Sequence, residues 1–145
     1  MIQLGMKQWR ALILALAAVA LLALGARHVL ERRARQKREI GYESALRSYS
    51  ERLRPGMTRK EVEDYLRERN VQFGQMCCVD GQLSKDVWAD LTKIGQEEAP
   101  WFCSEHNVYV AFQFTGRKRT GVVTTAEPSD TLKTVSIFHR LEGCL

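Results

Sequence analysis

Residues 11–26 read ALILALAAVALLALGA, sixteen positions without a charge. As a helix this run extends about 24 Å, against about 30 Å of bilayer hydrocarbon. A helix that is apolar all round belongs in lipid or at the centre of a large protein. A chain of 145 residues has room for one domain and no such centre. The run is therefore read as the core of a single transmembrane anchor over residues 11–30, after a short tail at 1–10. Trp9, Arg10 and Arg27 flank it, where amphipathic and long basic side chains reach the interfaces and make a short span workable. The competing reading is a cleaved signal peptide with Lys7 and Arg10 as its basic region and Ala23 to Ala26 as its cleavage region. Neither frame there is a clean small-x-small site, because Arg27 follows directly. No cysteine closes the run, which excludes lipoprotein processing.

The net charge of +5 is unevenly placed. Residues 1–60 hold thirteen Lys/Arg, Arg59 and Lys60 included, against four acids, whereas residues 61–145 hold nine against thirteen. A basic arm of +9 thus precedes a body of −4. The basic juxtamembrane segment, residues 31–41, places Arg32, Arg33, Arg35, Lys37 and Arg38 within a turn or two of the bilayer without interleaved aromatics. Anionic lipid headgroups, and not nucleic acid, are the expected counter-charge.

Orientation divides the signals. Two cations precede the apolar run and six, Arg27 to Arg38, follow it, which places the body in the cytoplasm by the positive-inside rule. Four cysteines, all in the body, are an even number suited to an oxidising compartment.

Within the body, residues 42–145, Gly41 is expected to interrupt the helix, and Tyr42, Ala45, Leu46, Tyr49 and Leu53 mark a second helical stretch ending at Pro55-Gly56. Thr58 and Glu61 then have capping-box spacing, with Met57 and Val62 as the hydrophobic staple. The stripe Val62, Tyr65, Leu66 and the stem of Arg69 should be buried, and the helix should stop near Asn70. From Val71 the period changes to 2 and a strand runs to Val79, closed by Asp80-Gly81. Leu83 to Ile94 is ambiguous between helix and strand. Val108, Val110, Phe112 and Phe114 alternate as the clearest strand, and Val135, Ile137, His139 and Leu141 share one face of the last. The expected fold is α+β: a membrane helix, then two helices packed on one face of a three- or four-stranded antiparallel sheet.

The segment Gly56-Met57-Thr58…Val62…Leu66, after a helix and before an antiparallel sheet, resembles the BamE-like (SmpA/OmlA) family of small envelope proteins. That resemblance implies an α-α-β-β-β fold, a periplasmic body and a non-enzymatic, accessory role in outer-membrane protein assembly. It implies a bacterial, membrane-anchored scaffold or protein-interaction module, its protein partner unknown, with the body on the periplasmic side.

Cys77 and Cys78, adjacent on a strand, point to opposite faces and should pair elsewhere. Two bridges are expected, one joining Cys77 or Cys78 to Cys103, the other joining the remaining one to Cys144. The alternative function is a cytoplasm-facing protein whose Cys103-x-x-His106 pair, completed by Cys77, Cys78 or Cys144, holds zinc or does redox work. A single Cys-x-x-His pair lacks the second spaced pair of a strong zinc signature. His139 is expected in the core, Glu97, Glu98 and Glu105 in solvent, and Trp88, Trp101 and Phe102 as core or sheet cover. Trp101 and Phe102 alternatively form an apolar edge for a protein partner. No phosphate loop, nucleotide fingerprint or catalytic constellation is present, so no cofactor and no catalytic residue are expected.

Overall fold

Helix α1 runs unbroken from Met6 to Ser50 in the computed structural model, which describes residues 6–77, 88–115 and 126–145. Gly41 lies inside it, contrary to the expected interruption. One glycine costs about 1 kcal/mol against alanine in a helix, and the helix formers on either side offset that. The chain divides into two units at Ile40/Gly41. In the first, every side chain from Leu12 to Ile40 is exposed, and α1 is long and apolar enough there to cross a membrane.

The second unit begins with the last turns of α1 and continues through helix α2 (Arg59–Glu68) into strands β1 (Gly74–Cys77), β2 (Trp88–Glu97), β3 (Glu105–Thr115) and β4 (Thr131–Glu142). The strands form one antiparallel sheet in the order β1-β2-β3-β4. The stretch read as ambiguous thus ends in β2. Val79 and the Asp80-Gly81 turn lie outside the described residues.

The start of α2 follows its sequence signals closely. Thr58 Oγ1 accepts from the Glu61 amide at 3.3 Å, and Glu61 Oε2 accepts from the Thr58 amide at 2.7 Å. The two remaining unpaired donors of the first turn are met from outside the helix: Arg59 N donates to Asp130 O and Lys60 N to Pro128 O. Gly56 and Met57 exchange backbone bonds with Leu132. Every free amide of this helix start is therefore bonded, two of them to the turn that opens β4. At the other end Asn70 takes a left-handed backbone with φ 55° and the helix stops, as the spacing predicts. The buried stripe is Arg59, Val62 and Leu66. Arg69 is exposed, its guanidinium 4.4 Å from the Tyr65 ring centroid.

Leu53, Val62 and Leu66 share one buried cluster with Val110, Phe112, Phe114 and Leu132, and Tyr49 meets Phe112 edge to face at 5.4 Å. The opposite strand face is not simply solvated. Ala89, Leu91, Ala111 and Phe138 are buried on it, with Met76 and Tyr109 packed against them. Tyr109 and Phe138 are register partners, so two large rings close over two alanines.

Near the far end of β2 the sheet has a register shift between Lys93 and Gly95, and Gly95 lies under Tyr42. A Cβ at Gly95 would sit 2.5 Å from Tyr42 Cε1. Gly95→Ala should therefore displace the ring and cost about 1–3 kcal/mol, read as a lower unfolding midpoint of the full chain in detergent micelles with unchanged far-ultraviolet circular dichroism.

Candidate functional site

Two side-chain clusters stand at opposite ends of the sheet. The first is built on Arg59, which the sequence places in the basic arm and the structure buries, at 1% exposure. Its position at the start of α2 turns the guanidinium inward. It donates to Asp90 on β2 and, through Nε at 3.1 Å, to Glu63 one turn along α2. Asp130, which accepts from the Glu127 amide at 2.9 Å, lies 3.9 Å from Nη1. The guanidinium carbon is 4.9 Å from the Phe114 ring centroid and 6.0 Å from that of Trp88. Trp88 is thus a wall of this site, not general sheet cover. Burial pushes the Asp90 carboxyl up to about 6, against the opposing pull of Arg59. A buried charge ringed by three carboxylates and two aromatic faces is a structural site. Sequence reasoning missed it because Arg59-x-x-x-Glu63 looks like an ordinary surface pair.

The second cluster surrounds the β2–β3 loop, residues 98–104. Cys103 is bonded to Cys144, which corrects the expected pairing of both with Cys77 or Cys78. The reason is register: Glu105 opposes Glu142, so the residues just before β3 and just after β4 meet. Ser104 N and Oγ both donate to Glu142 O at 3.0 Å, and Leu145 N donates to Phe102 O. Cys78 lies outside the described residues, as does the side chain of Cys77, whose backbone ends β1 opposite Trp88.

With its sulfur in a disulfide, Cys103 has no thiolate to offer a metal, so the Cys103–His106 pair is not brought together as a ligand set. His106 instead faces Glu97, its register partner on β2, with Nδ1 3.8 Å from Oε2. His139 is drawn to the same place, its ring centroid 5.5 Å from that of His106. It is partly exposed and outside the core, and Glu97 belongs to a strand end, not to a solvated loop. Glu105 opens β3 and accepts from Asn107 Nδ2 at 2.7 Å. Trp101 is 92% exposed and Phe102 is also exposed, so neither is core; their rings meet edge to face at 5.7 Å.

No protein-family model, curated protein or solved structure matches this chain.

Removing the Arg59 charge should leave Asp90 buried and unpaired. Arg59→Met is expected to destabilise by about 3–5 kcal/mol, with partial recovery in Arg59→Met/Asp90→Leu. Because the folded carboxyl titrates near 6 and the unfolded one near 3.8, the folded state holds the extra proton between those values. Stability from this group is thus highest below about pH 4 and is lost as pH rises to about 6, at up to about 1.4 kcal/mol per unit. The stability of wild type relative to Asp90→Asn should fall across that window and be level above it, as read by unfolding at fixed temperature.

Proposed function

We propose that the chain is a membrane-anchored envelope protein of bacterial type whose body is a non-catalytic scaffold or protein-interaction module. The carrying observation is the unbroken α1, exposed and apolar from Leu12 and basic from Arg32, which leads directly into the residues that begin the body. Residues 11–30 meet lipid, and Arg32, Arg33, Arg35, Lys37 and Arg38 meet anionic headgroups. Both helical segments of the body pack on one face of the sheet in this reading, in the manner of the BamE-like family that Gly56-Met57-Thr58…Val62…Leu66 resembles.

The body lies on the periplasmic side. The Cys103–Cys144 bond supports this, because structural disulfides persist in oxidising compartments. Six cations after the apolar run favour the other side. A covalent bond that the register brings into place weighs more than a statistical charge bias. The partner-facing feature is the exposed Trp101-Phe102 pair. Aromatic side chains offer large contact area with few torsions to freeze, and here the loop that bears them is tied down beside a disulfide.

In protein taken from its native membrane and alkylated under denaturing, non-reducing conditions, Cys103 and Cys144 should stay unmodified until reduction, as mass spectrometry of their peptides reads directly. Alkylation of both before reduction would place the body in the cytoplasm. A photo-crosslinker at position 101 should yield a discrete protein adduct in the native membrane, whereas one at exposed Ser129 should not.

A further inference from the structure

We propose that Glu97, His106 and His139 form a site for a divalent transition-metal ion of the zinc class, with a coordination position left for an exchangeable ligand. This goes beyond the scaffold reading and depends on neither the anchor nor the partner. The three residues stand on three adjacent strands. Glu97 and His106 are register partners across β2 and β3, while His139 on β4 opposes Val108, two residues from His106 and hence on the same face. Their ligand atoms all lie within 4.8 Å of one another. Tetrahedral zinc, with bonds of about 2.0–2.1 Å, sets its ligands about 3.3 Å apart. The difference is at most about 1.5 Å, on the scale by which imidazole and carboxylate heads shift when their side-chain torsions change.

The placement is unusual for the row that carries it. Along β3 the same face continues as Val108, Val110, Phe112 and Phe114, all fully buried. At the end of this apolar row, three polar, metal-competent groups converge where the pattern calls for aliphatic side chains. His106 and Glu97 are 21% and 28% exposed, which leaves an ion a way in. The backbone is held on two sides: β2, β3 and β4 are laddered together, and the Cys103–Cys144 bond with the Ser104–Glu142 bonds ties the start of β3 to the end of β4. Strand-borne ligands fixed in this way need little reorganisation on binding. Two imidazoles and one carboxylate form a nitrogen-rich set that prefers zinc, cobalt or nickel to calcium or magnesium. Among the described residues three protein ligands converge, one short of a closed tetrahedral shell, as in zinc sites that keep an open position.

The test uses the full chain in detergent micelles, disulfide intact, titrated with cobalt(II) and then zinc(II). One equivalent of cobalt should bind, with weak visible bands and no intense thiolate charge-transfer band, and zinc should displace it. Loss of an outer-shell partner already weakens a metal site about 10–100-fold, so His106→Gln and His139→Gln should each weaken binding at least that much. His28→Gln, the third histidine of the chain, should leave it unchanged. Far-ultraviolet circular dichroism of the metal-free variants shows whether they fold. If one does not, wild-type protein still decides, because the imidazole nitrogen resonances of His106 and His139 should shift with zinc while those of His28 stay. No stoichiometric binding, thiolate bands, affinity insensitive to both substitutions, or unshifted resonances overturns the proposal.

Discussion

The rest of this fold is arranged around a buried arginine. Taking one guanidinium out of water costs several kcal/mol even after relaxation, and that cost is met only where opposite charges and hydrogen bonds are already placed. Around Arg59 they come from separate parts of the chain: Glu63 from α2 itself, Asp90 from β2, Asp130 from the turn before β4, with Phe114 of β3 and Trp88 of β2 as flanking rings. No subset of these elements can pack and leave the others aside without stranding a charge. The same turn also accepts the first two amides of α2 through the Asp130 and Pro128 carbonyls. Docking of α2 and pairing of β4 are therefore coupled through polar groups, in addition to the apolar cluster whose buried face already fixes the register.

What could be read from the sequence follows from how local each signal is. The α2 boundary was legible at Thr58 because capping box and staple lie within the six residues from Met57 to Val62 and agree. β3 was legible because large apolar side chains recur at every second position, Val108, Val110, Phe112 and Phe114. The burial of Arg59 was not, since the acids that neutralise it are 31 and 71 positions away and only Glu63 shows locally. Gly41 does not break α1, because a break needs more than one residue's propensity. The cysteine pairing and the meeting of Glu97, His106 and His139 are properties of register. Register across β2, β3 and β4 includes shifts at Lys93/Gly95 and at Gln113/Phe114 that no alternation pattern announces.

The sheet is thus secured at both ends by devices other than its core. At the Trp88–Phe114–Leu132 end the device is the ion network, and at the Glu97–His106–Leu141 end it is the disulfide with the backbone bonds of residues 102–104 and 142–145. A body of about one hundred residues buries a modest apolar area, and small domains commonly add cross-links or polar networks for this reason. The two devices are not equivalent. The ion network turns inward around Arg59 and reaches the surface through the Glu63–Arg67 pair. The disulfide holds a loop and strand ends whose side chains remain partly open.

That difference is why both proposed functions fall at one end. Groups that must meet something outside the fold have to be exposed yet fixed, and ordinary surface loops offer the first without the second. The stapled end offers both: Trp101 stands almost wholly in solvent on a loop held through Phe102 O and Cys103, and the His106–His139–Glu97 cluster lies on the strand ends that the same staple ties together. Breaking the staple would leave the apolar cluster around Phe112 intact, because none of its members lies in residues 98–104 or 142–145. The disulfide therefore acts less on whether the body folds than on whether this end keeps one geometry, and both the aromatics proposed to meet a partner and the proposed metal ligands depend on that geometry.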